Sequence, residues 1–181
     1  DERKKARIVG RKVMKNVVRA GQGKGKVLRT SLFVKLACLV ANKFATLDPN
    51  GCGIEMESGK PDWCDALNGL PGIFGSSTNE SFELKRLLVF LLDVITEHHV
   101  SDQREVELPR ELADFLRALH RQAVRRQDRF SFWDRTHTLL ESYREKTRYG
   151  VDGKPSRITV RECVAIFADM LEVVGRGLER A

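Results

Sequence analysis

The sequence has 181 residues, of which 41% are hydrophobic and 31% are charged. This composition provides enough apolar surface for a buried core and argues against an intrinsically disordered chain. No apolar run approaches the roughly 18 residues that a membrane-spanning helix needs, so no membrane partner is expected.

The net charge is +7, and much of the cationic excess falls in the first 35 residues. A basic segment of this kind is typical either of a solvated helix face or of a nucleic-acid surface. We favour the solvated face, because no basic stripe interleaved with exposed aromatic residues follows it. The first residues also lack the apolar core of a signal peptide, and the chain begins without a methionine. It is therefore interpreted as a processed chain or as a piece of a longer one.

Six helices and no strand are predicted from apolar spacing and capping signals. The first covers residues 3–19, and "GQGKGK" at 21–26 interrupts it as a flexible connector. The second begins near Thr30 or Ser31. The third begins at Ser77 with Glu80 three residues later, and is apolar nearly all round, so we expect it to be well buried. The remaining three helices are predicted to begin near Pro109, at Ser131 and at Thr159.

The four cysteines, Cys38, Cys52, Cys64 and Cys163, have no spacing typical of a zinc site. We expect reduced thiols, no metal and a cytoplasmic location. Two histidines within predicted helices, His120 and His137, are interpreted as surface or packing residues.

Residues 48–78 form a long irregular stretch between two helices, and such loops are usually functional or disordered. It opens with the turn sequence "DPNG", and its own apolar residues argue against disorder. Within it lies "PDWCDALNG", residues 61–69, which combines carboxylates, an aromatic ring and an amide. A carboxylic acid can protonate a leaving oxygen, Trp63 offers a face for a sugar ring, and Asn68 can bind hydroxyl groups. The alternative is structural: Asp62 and Asp65 would form a turn and a cap, and Trp63 would fill the core.

The segment "PDWCDALNG" resembles the Asp-Trp-Asn-Asp motif of the inverting disaccharide phosphorylases, the cellobiose phosphorylase group. The resemblance extends over residues 46–88, although Cys64 stands where the motif usually has asparagine. It implies that Asp65 is the general acid and that Trp63 contacts the sugar. Asp62 and Asn68, in the same segment, are predicted to bind the substrate as well. Lys60, just before the motif, is included among the substrate-binding residues.

The same resemblance implies an (α/α)6 toroid, a ring of twelve helices of which six would be half. We therefore expect an all-α chain of antiparallel helical hairpins, either one domain over residues 1–181 or part of a larger toroid, with 48–78 as its functional loop. The rest of the toroid would then be its partner.

The implied reaction is phosphorolysis of β-linked gluco-oligosaccharides with inversion. It needs no cofactor, because inorganic phosphate is a co-substrate and acts as the nucleophile. Hydrolysis of the same bonds is the first alternative, and it would need a carboxylate base, for which Glu55, Glu57 and Asp62 are nearby. For Glu55 and Glu57 we favour a solvated loop edge. The second alternative is a non-enzymatic helical binding module whose basic first helix meets an acidic partner or nucleic acid.

Overall fold

The structure, a computed structural model, describes Glu2 and residues 17–55 and 75–181. Within these residues the chain is mostly helical, with two small antiparallel sheets. In chain order the elements are α1 (Leu32–Ala45), β1 (Ile54–Glu55), β2 (Ser76–Ser77), α2 (Thr78–Glu97), β3 (Glu105–Pro109), α3 (Arg110–Ala123), α4 (Arg129–Thr147), β4 (Pro155–Thr159) and α5 (Val160–Leu178).

Helix α1 lies at the centre of the fold and contacts α2, α3 and α4. Its inward face consists of small and branched side chains at helical spacing, and Val40, Ala41 and Phe44 have no exposed surface. The ring of Phe44 packs edge-on against Phe132 near the start of α4, with the ring centroids 5.8 Å apart. At the other end of the pair, the Cys38 sulfur lies 3.6 Å from the hydroxyl of Tyr143. Helices α1 and α4 therefore run antiparallel.

Three of the predicted helix starts are confirmed by side-chain caps. The hydroxyls of Ser31, Ser77 and Thr159 accept hydrogen bonds from the backbone N–H groups of Val34, Glu80 and Glu162, respectively. Each cap satisfies one of the N–H groups that the first turn of a helix leaves without a partner.

The predicted start of the next helix at Ser131 is wrong by a few residues. Asp128 is the N-cap of α4, and its carboxylate accepts from the Ser131 backbone N–H at 2.9 Å and from the Ser131 hydroxyl at 2.6 Å. A carboxylate caps as well as a hydroxyl, and the sequence analysis considered only the hydroxyl. The hydrogen bonds from Ser131 lower the pKa of Asp128.

The expectation of no strand is also wrong. Strands β3 and β4 pair over five residues, from Glu105 opposite Thr159 to Pro109 opposite Pro155. Leu108 and Ile158 point into the core and are 1% exposed, whereas their neighbours are not fully buried. This alternation is the signature of a half-buried strand, but each segment is short and runs directly into a helix.

Helix α2 differs from the prediction of all-round burial. Its buried apolar residues are Leu84, Leu88 and Leu91, which face α1 and α5. On the opposite side Phe82 is 54% exposed and Phe90 is 52% exposed. One face of this apolar helix is therefore left uncovered.

The connector between the first two predicted helices is compact. Arg19 and Val27 form an antiparallel bridge around the glycine-rich turn, and the backbone of Ala20 bonds both Lys26 and Gly25. Residues 17–19 are not helical, so the predicted helix over 3–19 does not extend to its expected end. Its residues 3–16 lie outside the described part of the chain.

Across residues 17–55 and 75–181, none of the helices combines the length and the apolar character needed to cross a membrane.

Candidate functional site

The two ends of the predicted functional loop meet in a small sheet. Ile54 pairs with Ser77 and Glu55 pairs with Ser76, so residues 56–74 leave and re-enter the fold at adjacent positions. Ile54 is 2% exposed and anchors the sheet in the core. We call residues 46–55 and 75–77 the loop base.

Asp48 organises the loop base through its carboxylate. One oxygen accepts from the backbone N–H groups of Asn50 and Cys52 at 2.9 and 3.0 Å. The other accepts from the Gly53 N–H at 2.9 Å and from the Ser76 hydroxyl. The turn that "DPNG" predicts is confirmed, since an aspartate bonding its own following backbone is the usual way to stabilise such a turn. Through Ser76 the same side chain joins both ends of the loop.

The turn rests directly on the last turns of α5. Gly51 has a positive φ of 69°, which favours glycine. A Cβ atom on Gly177 would lie 1.7 Å from the carbonyl oxygen of Gly51, so only glycine permits this approach. The Cys52 thiol donates to the Gly177 carbonyl at 3.4 Å, and Arg180 donates to the Asn50 carbonyl at 2.7 Å.

Glu55 connects the loop base to α4. Its two carboxylate oxygens accept from the indole N–H of Trp133 at 2.8 Å and lie 2.8 Å from Nε2 of His137. The other ring nitrogen of His137, Nδ1, lies 3.0 Å from the Trp133 carbonyl oxygen. Both imidazole nitrogens therefore face oxygen acceptors.

An aromatic cluster surrounds this polar contact. The centroid of the Trp133 ring lies 4.8 Å from that of His137 and 5.3 Å from that of Phe130. Phe130 is 64% exposed. The loop base thus presents a carboxylate, an imidazole and exposed aromatic surface on one side of the molecule.

This cluster corrects the interpretation of Glu55 made from the sequence. Glu55 is not a solvated loop edge, because its side chain is 33% exposed and both oxygens are engaged. His137 is a half-buried partner of that carboxylate. Nothing in the local sequence signals the pair, since 82 residues separate its members. Glu57 and the predicted site residues Lys60, Asp62, Trp63, Asp65 and Asn68 lie outside the described residues.

The strongest pKa shifts among the described residues occur away from the loop base. Burial raises the pKa of the Cys163 thiol in α5 to about 12. Burial, together with the nearby Cys38, also raises the pKa of Tyr143 in α4. Both are structural consequences of packing in the helical core. Neither shift identifies a catalytic group.

The other features expected from the sequence are located as follows. The three described cysteines, Cys38, Cys52 and Cys163, are free. His120 contacts Asp169 at 2.7 Å and joins α3 to α5. In the described part of the chain, no group of three or more histidine, cysteine or acidic residues is arranged to hold a metal ion.

No known protein-family model matches this chain, and no curated protein matches it either.

Proposed function

We propose that this chain is part of a carbohydrate-active catalytic domain that cleaves β-linked gluco-oligosaccharides by phosphorolysis with inversion. Asp65 is the general acid that protonates the leaving oxygen, and Asp62, Trp63, Asn68 and Lys60 bind the substrate. Inorganic phosphate is the nucleophile and no cofactor takes part. The observation that carries the proposal is the resemblance of residues 46–88 to the cellobiose phosphorylase group.

The loop base supports this role for the loop. Binding and catalytic residues are often found on loops that a rigid scaffold positions. Here the scaffold is well defined, because Asp48 ties both ends of the loop together and Gly177 seats the turn against α5.

The contacts of Glu55 argue against its use as the base of a hydrolase. An inverting hydrolase needs a second carboxylate that is free to activate water. Both oxygens of Glu55 are already engaged with Trp133 and His137, so Glu55 serves as a wall of the site and positions α4. Glu57 and Asp62 are then the carboxylates that the hydrolytic alternative would use.

The uncovered face of α2 supports the idea of a larger toroid. Exposed aromatic side chains on one face of a helix are costly in water and mark an interaction surface. Phe82, Val89 and Phe90 form such a face. In the proposed arrangement the helices described here are part of an (α/α)6 toroid, and the remaining helical hairpins cover this face. The free thiols agree with a cytoplasmic location.

Turnover of a panel of β-gluco-oligosaccharides, with and without phosphate, tests the proposal in the longest natural form of the protein. We expect phosphate-dependent release of a sugar 1-phosphate. The Asp65→Asn variant removes the transferable proton and should lower turnover by roughly 100-fold to 10,000-fold. Asp114→Asn, at an exposed position on α3, is the matched control and should retain full turnover.

Two results would redirect the proposal. Turnover that is independent of phosphate would identify a hydrolase. No turnover under any condition, with the Asp65→Asn variant and the parent folded alike, would leave the loop with a structural role and move the search to binding partners.

A further inference from the structure

A cavity of about 180 Å³ lies between the turn at 49–51, the connection from α3 to α4, and the end of α5. All of its described charged lining residues are arginines, namely Arg125, Arg129, Arg176 and Arg180. We call this the arginine cavity. Three separate parts of the chain contribute to it, so tertiary packing brings these cations together.

Two of the arginines converge on one residue of the turn. Arg180, just beyond α5, donates to the backbone carbonyl of Asn50 at 2.7 Å. Arg129, at the start of α4, donates to the side-chain oxygen of Asn50 at 3.5 Å. Each guanidinium carries five N–H donors, so most donors of both side chains are not used by these contacts.

Carboxylates do not neutralise most of this charge. Arg176 pairs with Glu172 one turn earlier in α5. Within residues 17–55 and 75–181, Arg125, Arg129 and Arg180 form no ion pair with a carboxylate. The neighbouring acid Asp128 instead uses both carboxylate oxygens to cap α4 through Ser131. Like charges held around one cavity repel each other, and a bound anion relieves that repulsion.

We propose that the arginine cavity binds a phosphate group. The planar fork of a guanidinium matches two phosphate oxygens, and arginine is favoured wherever such bidentate recognition occurs. Arg125 supplies a free fork and Arg129 supplies the donors that Asn50 does not use. Arg176 adds a partly compensated charge, and Arg180 fixes the turn that forms one wall. The volume suits a phosphate group with part of its attached body. This site and its ligand do not depend on the glycoside chemistry proposed above.

Titration calorimetry on the full chain, at constant ionic strength set with sodium chloride, tests the site. The probes are inorganic phosphate, phenyl phosphate and a short single-stranded oligonucleotide. The double variant Arg125→Gln and Arg129→Gln should weaken phosphate binding by about tenfold or more. Arg135→Gln is the matched control, because Arg135 is an exposed arginine on the same helix that does not line the cavity. It should leave the affinity within about twofold.

The choice of variants keeps folding separate from binding. Arg125 and Arg129 are exposed, so their loss should leave the thermal midpoint and circular dichroism unchanged. Arg180 is not replaced, since it holds the Asn50 carbonyl.

The affinities measured for the three probes decide whether the arginine cavity binds a phosphate group. Equal affinity for inorganic phosphate and phenyl phosphate supports recognition of the phosphate group alone, whereas tighter binding of phenyl phosphate supports a ligand whose body also contacts the cavity. Unchanged phosphate affinity in the double variant, or no binding of either phosphate, overturns the proposal. Strong binding of the oligonucleotide alone, falling steeply with salt, would replace it with a polyanion surface.

Discussion

The molecule contains two antiparallel two-stranded sheets that are stabilised in different ways. The β3–β4 sheet pairs five residues on each strand and buries Leu108 and Ile158. The β1–β2 sheet at the loop base pairs only two residues on each strand, and the side chains of Asp48 and Glu55 hold its surroundings in place. A long ladder draws its stability from backbone pairing and apolar burial. A short ladder that must carry a loop depends on polar side chains, which makes its geometry sensitive to single substitutions.

The largest difference between the two regions is expected in the rate at which a nearby thiol, Cys163 or Cys52, is alkylated. Cys163 follows β4 in α5 and has a pKa raised to about 12 by burial, roughly three units above the ordinary thiol and so about 1,000-fold less thiolate at pH 8. Cys52 belongs to the loop base and is partly exposed. Because thiolate is the reacting form and Cys163 is only 2% exposed, iodoacetamide at pH 8 should modify Cys52 first, and Cys163 should react mainly after unfolding. Peptide mass spectrometry over time measures both rates, and equal rates in the native protein would contradict this expectation.

The β3–β4 sheet should be most sensitive to substitutions of its buried side chains. Ile158→Ala removes a side chain that is 1% exposed and should lower the free energy of unfolding by about 2–5 kcal/mol, from lost burial and the cavity left behind. Urea unfolding followed by circular dichroism measures the change. The exposed neighbour Arg157 provides the control, since Arg157→Ala should change stability by less than about 0.5 kcal/mol. A small effect of Ile158→Ala would mean that backbone pairing alone sustains this sheet.

The close contact between the loop base and α5 can be tested by substituting two glycines of that helix, Gly177 and Gly175. Gly177→Ala would bring a Cβ within 1.7 Å of the Gly51 carbonyl oxygen and should destabilise the fold by about 1–3 kcal/mol through overpacking. Nothing lies within 4 Å of a Cβ at Gly175, so Gly175→Ala should stabilise the helix by roughly 0.5–1 kcal/mol. Thermal unfolding gives both values. If both substitutions changed the stability in the same direction, the turn would not be in close contact with α5 at Gly177.

The smallest effect is expected at Asp48, whose contacts are partly open to water. Asp48→Ala leaves the N–H groups of Asn50, Cys52 and Gly53 without their acceptor, at a cost of about 1–2 kcal/mol because water replaces some of the bonds. Asp48→Asn keeps one acceptor oxygen and should lose less. Amide hydrogen exchange at Cys52 and Gly53 should rise in Asp48→Ala, while exchange in β3 stays constant. Unchanged exchange at Gly53 would remove Asp48 from this role.

Local signals in the sequence were sufficient for most helices. Ser31, Ser77 and Thr159 were identified as caps because a cap is a contact between residues three apart, which any sequence displays. The strands were missed for the opposite reason. In "EVELP" and "PSRIT" the alternation is visible, but pairing joins residues about 50 positions apart, and propensity says little about partners at that separation.

The same distinction between local and long-range contacts applies to the candidate site. The turn at "DPNG" and the presence of a long loop between two helices followed from the sequence, whereas the pairing of the ends of that loop did not. The engagement of Glu55 by Trp133 and His137 did not, because it depends on α4 packing beside the loop base. The predicted substrate-binding and catalytic residues at 60–68 stay predictions.

By itself the sequence determined most of the helices, three of their caps and the position of the loop, since these depend on contacts within a few residues. Only the tertiary structure decided which charges meet. Packing leaves Phe82 and Phe90 exposed on the outer face of α2. It also brings arginines from distant segments together around Asn50. The physical reason is that periodicity fixes which face of a helix is apolar, whereas the packing of whole elements fixes what that face meets.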